Sequence, residues 1–225
     1  MVGEEFDQLH SDYPEKIRRW VPYYDQLLAS LVRDLPAGFT PHNILDLGCG
    51  HGEVTQLAWQ AFPDAEFVLV DASAKMIRTS WARFGDHERF LYSEMYFQEM
   101  RFMPSSFDLI LAGLSLHHLS GPEKRQLFAD ALRWLRPGGI LASADLHVDR
   151  EDEDHHHKVL KEWEALARQQ GSDDADWTYL MDHYNTYDRP HSFEQQLTWL
   201  QEAGFSETKI VLVRGAWGTI RARKT

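Results

Sequence analysis

The stretch ILDLGCGHGEVT, residues 44–55, decides the fold. An apolar run, NILDL (43–47), carries the acid Asp46 and leads directly into Gly48, Gly50 and Gly52, after which EVTQLAWQAF (53–62) has helical spacing. A strand, then glycines, then a helix is the arrangement that brings backbone close to a nucleotide. Glycine serves there because it reaches conformations and approaches closed to other residues. A simple strand-to-helix turn does not call for three alternating glycines behind an acid. The spacing also selects the ligand. A dinucleotide fingerprint is Gly-x-Gly-x-x-Gly, with pyrophosphate at the helix N-terminus. Here the order is Gly-x-Gly-x-Gly, and Asp46 would repel pyrophosphate but attract an ammonium group. The loop suits a cofactor with an amino acid end and no phosphate.

Working outward, EFVLVD (66–71) reads as a strand and SAKMIRTSWARF (73–84) as a helix led by a Ser N-cap. ERFLYS (88–93), FDLILAG (107–113) and GILASADL (139–146) read as further strands, and GPEKRQLFADALRWLRPGG (121–139) as a helix with Pro near its start and Gly past its end. Strands alternating with helices of this length imply a parallel sheet covered on both faces. Near the end, TKIVLVR (208–214) and WGTIRARK (217–224) are joined only by Gly215 and Ala216, which forces an antiparallel hairpin. Before the glycine loop, apolar residues from Tyr13 to Leu35 recur at helical spacing, with Pro22 dividing them into two helices. After Leu146 the alternation lapses. DREDEDHHHKVLKEWEALARQQG reads as an exposed helix, and an aromatic stretch over 176–192 leads to a last helix, FEQQLTWLQEAGF (193–205).

Taken together, these segments resemble the class I S-adenosylmethionine-dependent methyltransferases of the small-molecule type. ILDLGCGHGEVT looks like their first motif and VLVDAS (68–73) like the second. FDLILAGLSLHHL (107–119) and LRPGGILASADL (135–146) look like the motifs of the fourth and fifth strands. The likeness covers residues 40 to 148 and continues more weakly through QQLTWLQEAGF (195–205). It implies an α/β, Rossmann-like, doubly wound sheet of seven strands, mostly parallel, with a C-terminal antiparallel hairpin and an N-terminal helical cap. The expected organisation is one domain over 1–225: a cap (1–40), a cofactor-binding core (41–148), a substrate-covering insert (149–192), then the last helix and hairpin (193–225). The resemblance implies S-adenosylmethionine as cofactor, released as S-adenosylhomocysteine. Asp46, Gly48, Cys49 and Gly50 match positions around its methionine portion, and Asp71 matches the acid that accepts from the ribose hydroxyls. Met76 falls where a side chain lies against adenine. Glu94, with Met95 beside it, takes the place of the usual Asp that accepts from the adenine amino group. Tyr13 resembles the tyrosine that closes over the methionine end.

Methyl transfer from a sulfonium is an in-line displacement governed by positioning, and a base is needed only if the nucleophile must lose a proton. Candidate side chains sit beyond the carboxyl ends of the fourth and fifth strands, where open α/β sheets place their sites: His117, His118 and His147, with Asp145 as a structural acceptor. Trp177, Tyr179, Met181, His183, Tyr184 and Tyr187 of the insert, with Trp20, Tyr23 and Tyr24 of the cap, either line a pocket for a flat or apolar acceptor or pack the cap onto the core. The acceptor is expected to be a small molecule, aromatic if those residues line the pocket. The run EDEDHHHKV (151–159) cannot turn His155, His156 and His157 towards one ion on a helix, and no spaced Cys or His set is present, so no metal is expected.

Of the 225 residues, 23 are Lys or Arg and 35 Asp or Glu, for a net charge of −12. An acidic chain disfavours a nucleic-acid footprint. The single cysteine, Cys49, forms no intrachain disulfide and fits a reducing cytoplasm. No apolar run reaches the roughly 18 residues of a membrane span, and the opening MVGEEFDQLH lacks the features of a signal peptide. A cytoplasmic protein is expected, with the aromatic cap a candidate homodimer surface. Three other readings compete. RRWVPYYDQLLASLV (18–32) faintly resembles the carboxy-S-adenosylmethionine synthases of tRNA modification. An NAD-dependent oxidoreductase would share the glycine loop and Asp71, but not the glycine spacing or the hairpin. A non-catalytic cofactor-binding module would carry the same first motif.

Overall fold

The computed structural model describes Gly3 and residues 13–225. From Tyr13 onward the described residues begin with α1 (Tyr13–Trp20) and α2 (Tyr24–Arg33), separated at Pro22 as the sequence requires. There follow β1 (Asn43–Leu47), α3 (Glu53–Ala61), β2 (Glu66–Asp71), α4 (Ala74–Phe84), β3 (Phe90–Glu94), β4 (Phe107–Gly113), α5 (Gly121–Trp134) and β5 (Leu135–Leu146). Helices α6 (Glu153–Gln169) and α7 (Asp174–Tyr187) precede α8 (Phe193–Ala203) and the hairpin strands β6 (Glu207–Arg214) and β7 (Trp217–Arg223). One 7-stranded sheet results, in the order β3-β2-β1-β4-β5-β7-β6. The first five strands pair in parallel, and β7 runs antiparallel to both β5 and β6. The order reverses between β1 and β4, the place where open α/β sheets form a crevice.

Alternate residues of each strand supply two cores. On one face Ile44, Leu69, Leu109, Leu111 and Ala142 meet Leu27, Leu28 and Leu31 of α2, and the same cluster takes in Trp163 of α6. On the other, Leu45, Leu47, Val70, Ile110 and Leu141 meet Phe128 and Trp134 of α5 and Leu200 of α8. Burial on both faces is why β1 and β4 read as continuous apolar runs instead of alternating ones. The ends are capped as their sequences suggest: Ser73 Oγ accepts from Met76 N at the start of α4, and Gly204 closes α8 in the left-handed region.

Two expectations change. Helix α5 stops at Trp134, short of the glycines expected to follow its end directly, because Pro137 disfavours helix at the residue before it. Leu135 instead pairs with Phe107 at the start of a longer β5. The aromatic stretch after residue 176 belongs to a regular helix, α7, begun by Asp173, whose carboxylate accepts from Asp176 N. No helix among the described residues is long and apolar enough to cross a membrane.

Candidate active site

A cleft opens at the carboxyl ends of β1, β2 and β4, enclosing about 1080 Å³ of space that includes open solvent. Its floor is the glycine loop. Gly48, Gly50 and Gly52 all take positive φ, at 69°, 53° and 77°. The loop is tied to the sheet by Gly48 N and Cys49 N, which donate to Val70 O at 2.8 and 3.0 Å. Gly52 needs its bare Cα for packing: a Cβ there would stand 2.4 Å from the Phe84 ring. Gly50 differs, since a Cβ on it would meet nothing within 4 Å, and Gly50 lines the cleft. Bare backbone facing empty space is what a closely approaching ligand requires.

Asp71, at the end of β2, is fixed by two backbone donors, Gly50 N to Oδ2 and Ser73 N to Oδ1, each at 2.9 Å. A carboxylate offers about four acceptor positions, and these two bonds orient it. Met76 and Met95 border the same part of the cleft. On the opposite side Gly113, Leu114, Ser115, His118 and Leu119 follow β4. Leu114 holds φ at 54°, strained backbone of the kind that collects at functional sites, and Ser115 Oγ donates to Leu47 O at 2.7 Å, tying the β4 loop to β1.

Behind His118 lies a buried polar cluster. His117 N donates to Asp145 Oδ2 at 2.9 Å, and His117 Nδ1 lies 2.5 Å from Asp145 Oδ1. Burial pushes the Asp145 carboxyl up, but the adjacent His117 imidazole, His147 and Lys124 together outweigh it and hold Asp145 at about 2. Burial likewise opposes the charge on His117, yet Asp145 and Asp188 raise its pKa above the ordinary value.

The likeness to known proteins agrees with this geometry. A family model described as a methyltransferase domain matches residues 44–139. A trans-aconitate 2-methyltransferase of Yersinia pestis is 30% identical over 187 residues, covering 77% of this chain and 68% of that protein. The chain belongs to the class I S-adenosylmethionine-dependent methyltransferases. A carboxy-S-adenosyl-L-methionine synthase of Photobacterium profundum is 23% identical over 210 residues, covering 91% of this chain and 86% of that protein. Several other curated relatives match over less, this chain spanning 37 to 44% of their length. Among solved structures, a Haemonchus contortus phosphoethanolamine N-methyltransferase 2 holding S-adenosylhomocysteine superposes with a TM-score of 0.71 at 17% identity, covering 100% of this chain and 60% of that one. That likeness is one of fold.

The structure separates the residues that the sequence grouped. Gly48, Cys49, Gly50, Asp71, Met76, Met95 and His118 border the cleft. Asp46 does not: it is fully buried beneath the loop, its Oδ2 accepting from Thr55 Oγ1 at 2.6 Å. Glu94 is exposed and outside the cleft lining, because its position at the end of β3 turns it outward, and Tyr96 and Phe97 occupy the rim instead. His117 sits behind His118. His147 points away altogether: its ring stacks on Phe193 with centroids 3.8 Å apart, Nδ1 accepts from Gln196 Nε2 at 2.9 Å, and Nε2 faces Gly218 O at 3.3 Å. Burial lowers its pKa to about 4, so it is a neutral core histidine. The Tyr13 side chain lies outside the described residues. The insert's aromatics pack onto the core, Trp177, Tyr179 and Met181 against the cluster that contains Trp20, and none of them borders the cleft. His155 and His157 are exposed, whereas His156 is half-buried with Nε2 2.9 Å from Tyr184 Oη.

Sequence reasoning missed Lys124. It is buried, donating to Leu119 O, Arg189 O and His191 Nδ1 at 3.0, 2.6 and 2.8 Å, and so ties the segment before α8 to the loop after β4. Its partners are too distant in sequence for any spacing rule to find.

The burial of Asp46 has a measurable consequence. Removal from water pushes its carboxyl up to about 7, with Thr55 opposing the rise and Asp71 adding to it. The folded state therefore holds a proton that the unfolded chain, with an ordinary aspartate, releases near pH 4. Stability falls wherever the native state binds the extra proton, so this residue's contribution declines as pH climbs from about 4 to 7 and then levels off. Asp46→Asn is expected to abolish that decline, making the variant more stable than wild type above pH 7 by on the order of 4 kcal/mol before any loss from its unpaired amide. Urea denaturation of both proteins at pH 5 and pH 8 checks this; a gap that does not widen with pH would refute it.

Proposed function

We propose that this chain transfers a methyl group from S-adenosylmethionine to an oxygen or nitrogen of a small molecule. The observation that carries the reading is Gly50, whose missing side chain leaves backbone open to the cleft beside the fixed Asp71 carboxylate. The bound cofactor supplies an activated methyl group. Gly48, Cys49 and Gly50 hold its methionine portion, Asp71 accepts from the ribose hydroxyls, and Met76 and Met95 flank the adenine. The acceptor enters on the side of His118, which we assign to positioning it. That part of the reading rests on His118 being the only one of the three candidate histidines that borders the cleft. Positioning suffices for an amine or carboxylate that arrives deprotonated. The described lining residues include Glu53, Asp71 and Glu123 but neither lysine nor arginine, which supports a neutral or cationic acceptor over a polycarboxylate.

The test is calorimetric titration with S-adenosylhomocysteine and, separately, NADH. S-adenosylhomocysteine alone is expected to bind, and Asp71→Asn to weaken it tenfold or more, about 1.4 kcal/mol for impaired hydrogen bonds to a charged acceptor. Binding of NADH, or an affinity indifferent to Asp71→Asn, would overturn the assignment. Acceptor-dependent release of S-adenosylhomocysteine then distinguishes an enzyme from a binding module. A second reading, carboxy-S-adenosylmethionine synthesis, is favoured by one observation, a match to such a synthase along 91% of the chain. Mass spectrometry after incubation with S-adenosylmethionine and prephenate separates the two.

A further inference from the structure

Three imidazoles converge on one carboxylate oxygen beside the cleft. From Asp188 Oδ1, His118 Nδ1 is 3.1 Å away, His183 Nε2 3.4 Å and His117 Nε2 3.7 Å. Ligand atoms of His117, His118 and Asp188 all fall within 4.8 Å of one another. His117 and His118 stand on the turn after β4, His183 on α7, and Asp188 one residue beyond α7. The imidazoles retain 11 to 14% of their side-chain exposure and the carboxylate 6%.

Hydrogen bonding alone accounts poorly for this arrangement. Asp188 Oδ1 is buried and makes no hydrogen bond in good geometry, although three ring nitrogens surround it. A tetrahedral ion accounts for it well. Bonds of about 2.0–2.1 Å place the ligand atoms of a tetrahedral zinc site roughly 3.3–3.4 Å apart, and the separations of His118 Nδ1 and His117 Nε2 from Asp188 Oδ1 bracket that value. The surroundings agree: Asp145 Oδ1, 2.5 Å from His117 Nδ1, fixes the ring with Nε2 turned towards Asp188, the carboxylate–histidine pairing that orients metal ligands.

We infer that His117, His118 and Asp188 form a site for a divalent transition metal of the zinc class, with His183 beside it. Imidazole and carboxylate donors suit such an ion. Three protein ligands hold the ion, which acts as a clamp: it joins the residue after α7 to the turn that carries His118 into the cleft wall. The sequence offered the three consecutive histidines of α6 as the obvious metal candidate, yet the converging donors lie elsewhere, brought together by the packing of α7 on the β4 turn.

The experiment is titration of chelator-treated protein with zinc chloride, repeated with cobalt(II) to read the coordination geometry from its visible spectrum. Wild type is expected to bind one ion per chain with the intense bands of a tetrahedral complex. Asp188→Asn and His117→Ala should each weaken binding at least about tenfold, and Asp145→Asn about ten- to hundredfold through loss of ring orientation. A double variant, His155→Ala with His157→Ala, controls for surface histidines and should bind as wild type does. Zinc that fails to bind wild type overturns the inference. So does affinity unchanged in Asp188→Asn, or affinity lost in the surface variant. Circular dichroism of the near-isosteric Asp188→Asn shows that it folds, and S-adenosylhomocysteine titration of the same samples keeps the cofactor assignment a separate question.

Discussion

Gly50→Ala is expected to leave the protein folded while S-adenosylhomocysteine affinity drops at least about a hundredfold, roughly 3 kcal/mol. Two features of the position combine. The new methyl group has space in the unliganded fold, where nothing lies within 4 Å of a Cβ, so it takes up cleft volume without disturbing a packed neighbour. The backbone at φ 53° adds a modest penalty, about 1–2 kcal/mol for an L-residue in the left-handed region. Gly52→Ala makes the contrast. Its Cβ would lie 2.4 Å from a Phe84 ring carbon in the core, so that variant should lose stability first and binding only as a consequence. Thermal denaturation and calorimetry on the pair separate the two kinds of glycine. If Gly50→Ala kept its affinity within about threefold, the cofactor would not lie against this loop.

What the sequence revealed, and what it hid, follows from the range of the interactions involved. The alternation of strands and helices, the break at Pro22 and the two-residue hairpin turn are local signals, and the sheet order is consistent with them. The glycine loop and Asp71 were legible for the same reason, because their spacing along one β-α-β unit fixes their separation in space. The direction in which a side chain points was not legible where a distant element decides it. His147 follows β5 immediately, yet Phe193 and Gln196 of α8 and Gly218 of β7 capture its ring. Asp46 lies on a strand buried on both faces, so its alternation carried no sign of which way the carboxylate turned. The cluster around Asp188 depends on α7 meeting the β4 turn, a contact no periodicity encodes. The insert's aromatics had two readings of equal chemical merit, and packing against Trp163 resolves them in favour of a core.

Trp163 is the residue on which that core turns, and Trp163→Ala is expected to destabilise the fold by about 3–5 kcal/mol. The indole is 4% exposed. Its Nε1 donates to Trp20 O at 2.6 Å, joining α6 to the end of α1. Its ring meets Trp177, Tyr184 and Trp217 edge to face, with centroids 5.3 to 5.8 Å apart, so one side chain joins α6, α7 and β7. Truncation leaves a cavity among large rings that cannot collapse to fill it, and it removes the indole donor to Trp20 O. Trp163→Phe should recover part of the loss, keeping ring contacts without the donor. Urea denaturation gives the magnitudes. Cofactor affinity of the folded fraction should stay close to wild type, because no described residue of α6 or α7 lines the cleft. An affinity loss larger than the stability loss would instead mean that the insert governs the shape of the cofactor cleft, and that the aromatic layer does more than hold the cap in place.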